Sequence, residues 1–386
     1  MNNFKELYNG NLVSSQVFSN PVYKNERITS IDALRGITLF FILLIHSTAY
    51  FGYANQHIND MSFMTGLGHN IAAGINWLFE GRANKVFEML FGVSFYLILK
   101  NPSYPSIKFV WRCVLLAIIG LFNLLFYTGD TLLWYGIWGC FLTLFRNCSV
   151  KTLFILFGCI FVTSFFTPQF AIGNIAAFTT RYSTNNSILD VMKYPLIYGY
   201  SSFFSNIPLR ELAYFILGYG IAKSGVLENL PKHASRKNIL YFLSLYIVFF
   251  TLWIVYMDST LNVKFLFFKT FRDLFGAFFY ILLFLKIYYA FTRQLSTLFS
   301  GLQAYGRLGL TNYSFQGILG VILSSYVIMR LRFSFEFAIV FYLLLYTAQV
   351  FFSYLWLKSH KYGPMEWLWR CLTSRKFTSN RIDLKQ

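Results

Sequence analysis

Two residues of one predicted helix carry the strongest chemical pattern in this chain. Arg35 and His46 stand eleven residues apart in the segment Asp32-Ala-Leu-Arg35-Gly36-Ile-Thr-Leu-Phe-Phe-Ile-Leu-Leu-Ile-His46. Eleven helical steps of about 100° make about three turns plus about 20°, so both side chains fall on one face. A rise of about 1.5 Å per residue sets His46 about 16 Å deeper than Arg35. Asp32 is one turn earlier and is placed to hold the guanidinium. The planar donor fork of Arg35 suits a phosphate or pyrophosphate, and a buried imidazole at His46 suits a general base or an acyl acceptor. A donor with a phosphate-rich head and a long reach would fit the pair, and coenzyme A is such a donor. The plainer alternative is an arginine reaching lipid headgroups and a histidine bonded to a neighbouring helix.

Other polar residues gather at the ends of apolar segments. Glu80, Arg82, Lys85 and Glu88 lead into the second segment, and Asp130 opens the fourth. Arg210-Glu211 and Arg272-Asp273 start the sixth and eighth. Glu88, Asp130 and Asp273 could line an outward-facing path near His46, or serve as helix caps and local ion pairs. Asn312 and Gln316 lie four apart on one face of the ninth segment, just after Arg307. Beyond the last segment, Pro364 stops a helix and Trp367 and Trp369 suit an interface. His57, His69, His233 and His360 lie in loops without ligand spacing. The five cysteines form no CxxC pair, so no metal site is expected.

The elements that position these groups are set by composition. Of 386 residues, 56% are hydrophobic, 21% aromatic and only 12% charged. A soluble chain is about a quarter charged, so no soluble domain is expected. Runs of about 20 apolar residues span a bilayer. Such runs predict an all-α, polytopic bundle of about ten transmembrane helices, near 36–54, 84–100, 109–127, 131–147, 151–168, 207–224, 238–257, 270–291, 308–329 and 335–357. No apolar stretch precedes Ile37, so no cleavable signal peptide is expected and the first span should direct insertion.

With a cytoplasmic N-terminus, 21 Lys and Arg fall on inside segments and 10 on outside segments. That bias predicts both termini in the cytoplasm. It also accounts for the net charge of +18 without nucleic acid as a partner. The organisation expected is a cytoplasmic tail at 1–27, one bundle at 28–358 and a cytoplasmic interfacial tail at 359–386. The long outer loops, 55–83 and 169–206, could fold over the mouth of the bundle. No internal repeat is evident, which weakens an inverted-repeat transporter.

Six segments together resemble the YeiB-like membrane proteins, the domain-of-unknown-function 418 family. They are RITSIDALRG (27–36), FEGRANKVFEMLFGVSF (79–95), GDTLLWYGIWG (129–139), GYGIAKSGVL (218–227), YGRLGLTNYSFQ (305–316) and GPMEWLWR (363–370). That family is similar in turn to the transmembrane acyltransferases, the acyltransferase-3 and heparan-glucosaminide acetyltransferase groups. Arg35 and His46 match the acyltransferase-3 spacing of an Arg, ten residues and a His. The YeiB-like pattern commonly carries Asn where His46 stands, so this chain departs from it there.

The resemblance implies a multi-pass protein of the bacterial cytoplasmic (inner) membrane. It implies an O- or N-acyltransferase that takes acetyl-CoA, or another acyl-CoA, from the cytoplasm and serves a periplasmic glycan, lipid or peptide. Arg35, with Arg307, would contact the CoA phosphates. His46, with Arg35 and Asp32, would form the catalytic group, and Glu88, Asp130, Asp273, Asn312 and Gln316 would line the path. The lipid bilayer is the expected surrounding, and a homodimer is compatible with the sequence. The competing expectation is an ion-coupled small-molecule transporter without covalent chemistry, in which His46 relays protons.

Overall fold

The computed structural model describes residues 28–56, 66–124, 130–165, 209–256, 263–322 and 333–382. The expected N-terminal tail at 1–27 and outer loop at 169–206 lie outside the described residues, as does 57–65 of the first outer loop.

The described residues are helical. The helices are α1 (Thr29–Gln56), α2 (Gly66–Phe79), α3 (Arg82–Leu99), α4 (Ser106–Asn123), α5 (Leu132–Leu142), α6 (Val150–Thr163) and α7 (Leu209–Lys223). They continue as α8 (Arg236–Val255), α9 (Val263–Phe291), α10 (Ser296–Arg307), α11 (Gly309–Ile322), α12 (Phe335–Ser359) and α13 (Pro364–Ser374). Each segment expected to span overlaps one of these helices. Among the described residues, five helices are long and apolar enough to cross a membrane: the Thr29–Thr48 stretch of α1, α4, α8, most of α9, and α12. α5 and α6 are shorter apolar helices.

Burial distinguishes the centre from the rim. The spanning window of α1 is 67% buried inside the protein and that of α8 only 6%. α1 packs against α2, α3, α9, α10, α11 and α12 and is the central helix. α8 packs on α9 and turns Leu240, Ile247, Val248 and Val255 outward. An exposed apolar face of that kind is at home in lipid rather than water.

Helices in hydrocarbon gain nothing by hiding apolar surface from one another, so close packing at small residues holds them together. α10 crosses α1 so closely that a Cβ at Gly306 would overlap the Asp32 carbonyl oxygen, and one at Gly36 the Leu302 carbonyl oxygen. α3 and α7 meet in the same way, with Gly92 against the Phe215 carbonyl and Gly218 against the Met89 carbonyl. Aromatic rings then fill the spaces between helices. Phe91 packs on Tyr135 and Phe215, and Phe87 stacks on Tyr313 at 6.2 Å between centroids.

Three helices depart from the sequence expectation. α2 folds within the expected outer loop 55–83, and its Ala72 packs against Phe335 and Tyr342 of α12. α10 falls in what reads as a cytoplasmic connection. It is amphipathic, with Phe299, Leu302 and Tyr305 buried, so its few apolar residues fall short of a spanning run although they form one inward face. α13 lies in the expected tail and is held to α4, where Trp369 Nε1 donates to the Arg112 carbonyl at 2.8 Å.

Gly306→Ala and Gly92→Ala should each lower stability by roughly 1–3 kcal/mol, as overpacking does. Gly158→Ala, whose Cβ would meet open space, should leave stability unchanged or slightly higher. Thermal melting of the three variants in detergent is the check, and equal melting would contradict the close-packed crossings.

Candidate functional site

Arg35 is held where the sequence places it. Its Nη1 donates to Asp32 Oδ1 at 3.0 Å and to the Gly306 carbonyl at 3.5 Å, and its Nη2 donates to Ser94 Oγ at 2.9 Å. The fork therefore ties α1 to α3 and α10. A Cβ at Gly309 would sit 3.3 Å from the Arg35 side chain, so the start of α11 rests on it.

His46 faces a small cavity with Asn123, Asp130, Tyr313 and Ser314. Its room is about that of one water molecule. Asn123 Nδ2 donates to Asp130 Oδ2 at 3.2 Å and to Ser314 Oγ at 3.1 Å. Asp130 Oδ1 accepts from the Leu132 backbone N–H at 2.8 Å, so this acid, one residue before the N-cap Thr131, also satisfies the first N–H of α5. The Tyr313 ring stands edge-on to the imidazole at 6.2 Å. An imidazole, a carboxyl, an amide and two hydroxyls thus converge from α1, α4, α11 and the start of α5. Such a set can accept, hold and pass a proton.

The shared face of Arg35 and His46 is preserved, but the space between them is not polar. Leu39, Ile42, Phe87, Tyr135 and Tyr313 belong to one buried cluster at that level. The remaining expected site residues form separate groups. Glu88 pairs with Lys85 at 2.8 Å. Asp273 takes Arg272 at 2.7 Å and Arg82 at 3.4 Å, and its carboxylate presses on Gly81, whose φ of +81 excludes a side chain there. Asn312 Nδ2 donates to Ser353 Oγ and to the Tyr305 carbonyl. The Tyr305 hydroxyl donates to Gln316 Oε1 at 3.3 Å. Arg307 lies at the Arg35 end in a different pocket, with Arg112, Lys361 and Arg370.

Asn123 and Ser314 escaped the sequence reading, as did Ser94. Asn123 did leave a signal, because an amide ending the apolar run of α4 demands a buried partner. Ser314 left none, since serine is common at helix–helix contacts.

Comparison with known proteins follows the same lines. Residues 221–376 match the family described as "Protein of unknown function (DUF418)". The match takes in Asp273, Arg307, Asn312 and Gln316, and leaves out α1 with Arg35 and His46. The chain is 26% identical to "Uncharacterized protein YxaH" of Bacillus subtilis (strain 168), over 92% of this chain and 96% of that protein. It is 26% identical to "Uncharacterized 39.9 kDa protein in amylase 3'region" of Bacillus acidopullulyticus, over 92% and 97%. It is 24% identical to "Uncharacterized protein YeiB" of Escherichia coli (strain K12), over 91% and 97%. No solved structure matches the chain. These likenesses bear out the YeiB-like resemblance, and with the apolar helices they make this a membrane protein with bacterial relatives.

Glu366 anchors α13 to this framework. Its Oε1 accepts from the Leu310 and Thr311 backbone N–H groups at 2.7 and 3.1 Å, and Thr311 Oγ1 donates to Oε2 at 2.5 Å. Burial pushes its carboxyl above the usual carboxylate range, while the Thr311 and Leu310 donors pull it back. Glu366→Ala should lower stability by roughly 1–3 kcal/mol, because two buried N–H groups lose their acceptor. Thermal melting against wild type is the measurement, and an unshifted Tm would contradict the capping role.

Proposed function

We propose that this protein is an integral-membrane acyltransferase, moving an acyl group, acetyl by resemblance, from cytoplasmic acyl-CoA to an acceptor across the membrane. On this reading about ten spans cross the bacterial inner membrane and both termini are cytoplasmic. One observation carries the proposal: the imidazole of His46 faces Asp130, Asn123 and Tyr313 in a single buried cavity. The Arg35–His46 spacing supports it.

In the step envisaged, the acceptor hydroxyl or amine attacks the thioester carbonyl carbon. His46 takes the acceptor's proton as the new C–O or C–N bond forms. The C–S bond breaks, and the proton passes to the departing CoA thiolate. Asp130 and Asn123 orient the imidazole side of the cavity. A long pantetheine arm is needed to reach His46 from the Arg35 end, and the Leu39–Phe87 layer must part to admit it.

A second reading is favoured by a different feature. Lys85, Glu88, Arg82, Arg272 and Asp273 form buried ion pairs within the bundle. Nearby, Glu211 Oε2 is buried without a hydrogen-bond partner. Ionisable groups inside a membrane protein often line ion or proton paths, so ion-coupled transport without covalent chemistry is the alternative.

The purified protein in nanodiscs should release free CoA from acetyl-CoA. His46→Ala should reduce release by roughly 10²–10⁴-fold, the usual contribution of a general base, with helical content unchanged. Equal release by the variant would overturn the role of His46. No release from folded wild-type protein, with ion-driven uptake in proteoliposomes, would favour the transport reading.

A further inference from the structure

At the Arg35 end of the bundle, a pocket of about 70 Å³ is lined by Arg112 of α4, Arg307 at the end of α10, and Lys361, Tyr362, Glu366, Trp369 and Arg370 from the C-terminal segment. Four cations thus converge on one space. They come from elements that are far apart in sequence and are brought together by the docking of α13 onto α4 and α11. Like charges gathered in this way repel unless something between them carries negative charge.

Among the described residues, Glu366 is the one acid lining the pocket, and both its oxygens accept from the start of α11. The cations are instead steadied by aromatic faces. The Arg112 guanidinium lies 3.8 Å from the Trp369 ring centroid and that of Arg370 lies 4.1 Å from the Tyr362 centroid. Stacking fixes the plane of a guanidinium and leaves edge donors for a ligand, although Tyr104 also bonds the Arg112 side chain. Arg112 Nε is buried with no hydrogen-bond partner. Lys361 and Arg370 are exposed at the rim, so the pocket has a cationic entrance as well as a cationic base.

We propose that this pocket binds a phosphate-bearing anion through a phosphomonoester or diphosphate group. Planar guanidinium forks match phosphate oxygens pairwise, and a multiply charged group answers several cations at once. The inference stands apart from the acyl-transfer reading. Should that reading hold, this pocket is the better seat for the diphosphate of a donor, because the Arg35 fork is already held by Asp32, Ser94 and Gly306.

The same group can come from a soluble ligand or from an anionic lipid headgroup, and the test separates them. Full-length protein in phosphatidylcholine nanodiscs is titrated with inorganic pyrophosphate by calorimetry. In parallel, protein purified from membranes is examined by native mass spectrometry for retained phosphatidylglycerol. Each arm uses wild type, Lys361→Gln/Arg370→Gln, and the control Lys232→Gln/Lys237→Gln, which removes the same charge from an exposed site elsewhere. All four substituted side chains are exposed, so folding should survive.

The expected result is pyrophosphate binding that weakens at least tenfold in the pocket variant and not in the control. Phosphatidylglycerol retained by wild type and the control but lost from the pocket variant, without pyrophosphate binding, supports the same site with a lipid source. Binding of neither, or equal weakening in pocket variant and control, overturns the proposal. CoA release is a separate measurement, so the chemistry and the pocket can fail independently.

Discussion

The crossing of α10 over α1 at Gly306 and Gly36 is the contact on which the arrangement depends. Without side chains at the crossing, two backbones come within direct reach, and in hydrocarbon such dispersion contact replaces the hydrophobic effect as the source of helix association. Because α10 lies on the first turns of α1, the Gly306 carbonyl reaches the Arg35 guanidinium. Because α11 starts just beyond, it runs along the same face of α1 and brings Tyr313 and Ser314 to the level of His46. Arg307, between the two helices, is left facing the C-terminal segment.

The polar groups of the bundle are nested rather than strung along one channel. Aromatic and aliphatic side chains, with Phe87, Phe91, Tyr135 and Phe215 among them, fill the space between nests. Each nest satisfies most of its own hydrogen bonds, as low-dielectric surroundings demand. Arg82 and Arg272 share Asp273, and Asn312 is held by Ser353 and Tyr305, so these groups close on their own partners. The His46 cavity and the four-cation pocket differ, since each places polar or charged groups around an open space.

The sequence by itself determined that the chain is helical and membrane-bound, because apolar runs of spanning length have few other uses. It also determined that Arg35 and His46 share a face and that Asp32 holds Arg35, since both follow from the pitch of a single helix. It placed Asp130 at a helix start, where a cap was the plain expectation. What only the tertiary structure decided is which polar groups meet. Asp130 joins His46 while Glu88 and Asp273 do not, and Arg307 joins Arg112 and Arg370 rather than Arg35. The physical reason is that helix pitch is local and readable from spacing, whereas the angle and depth at which helices cross arise from glycine contacts and ring packing between segments hundreds of residues apart.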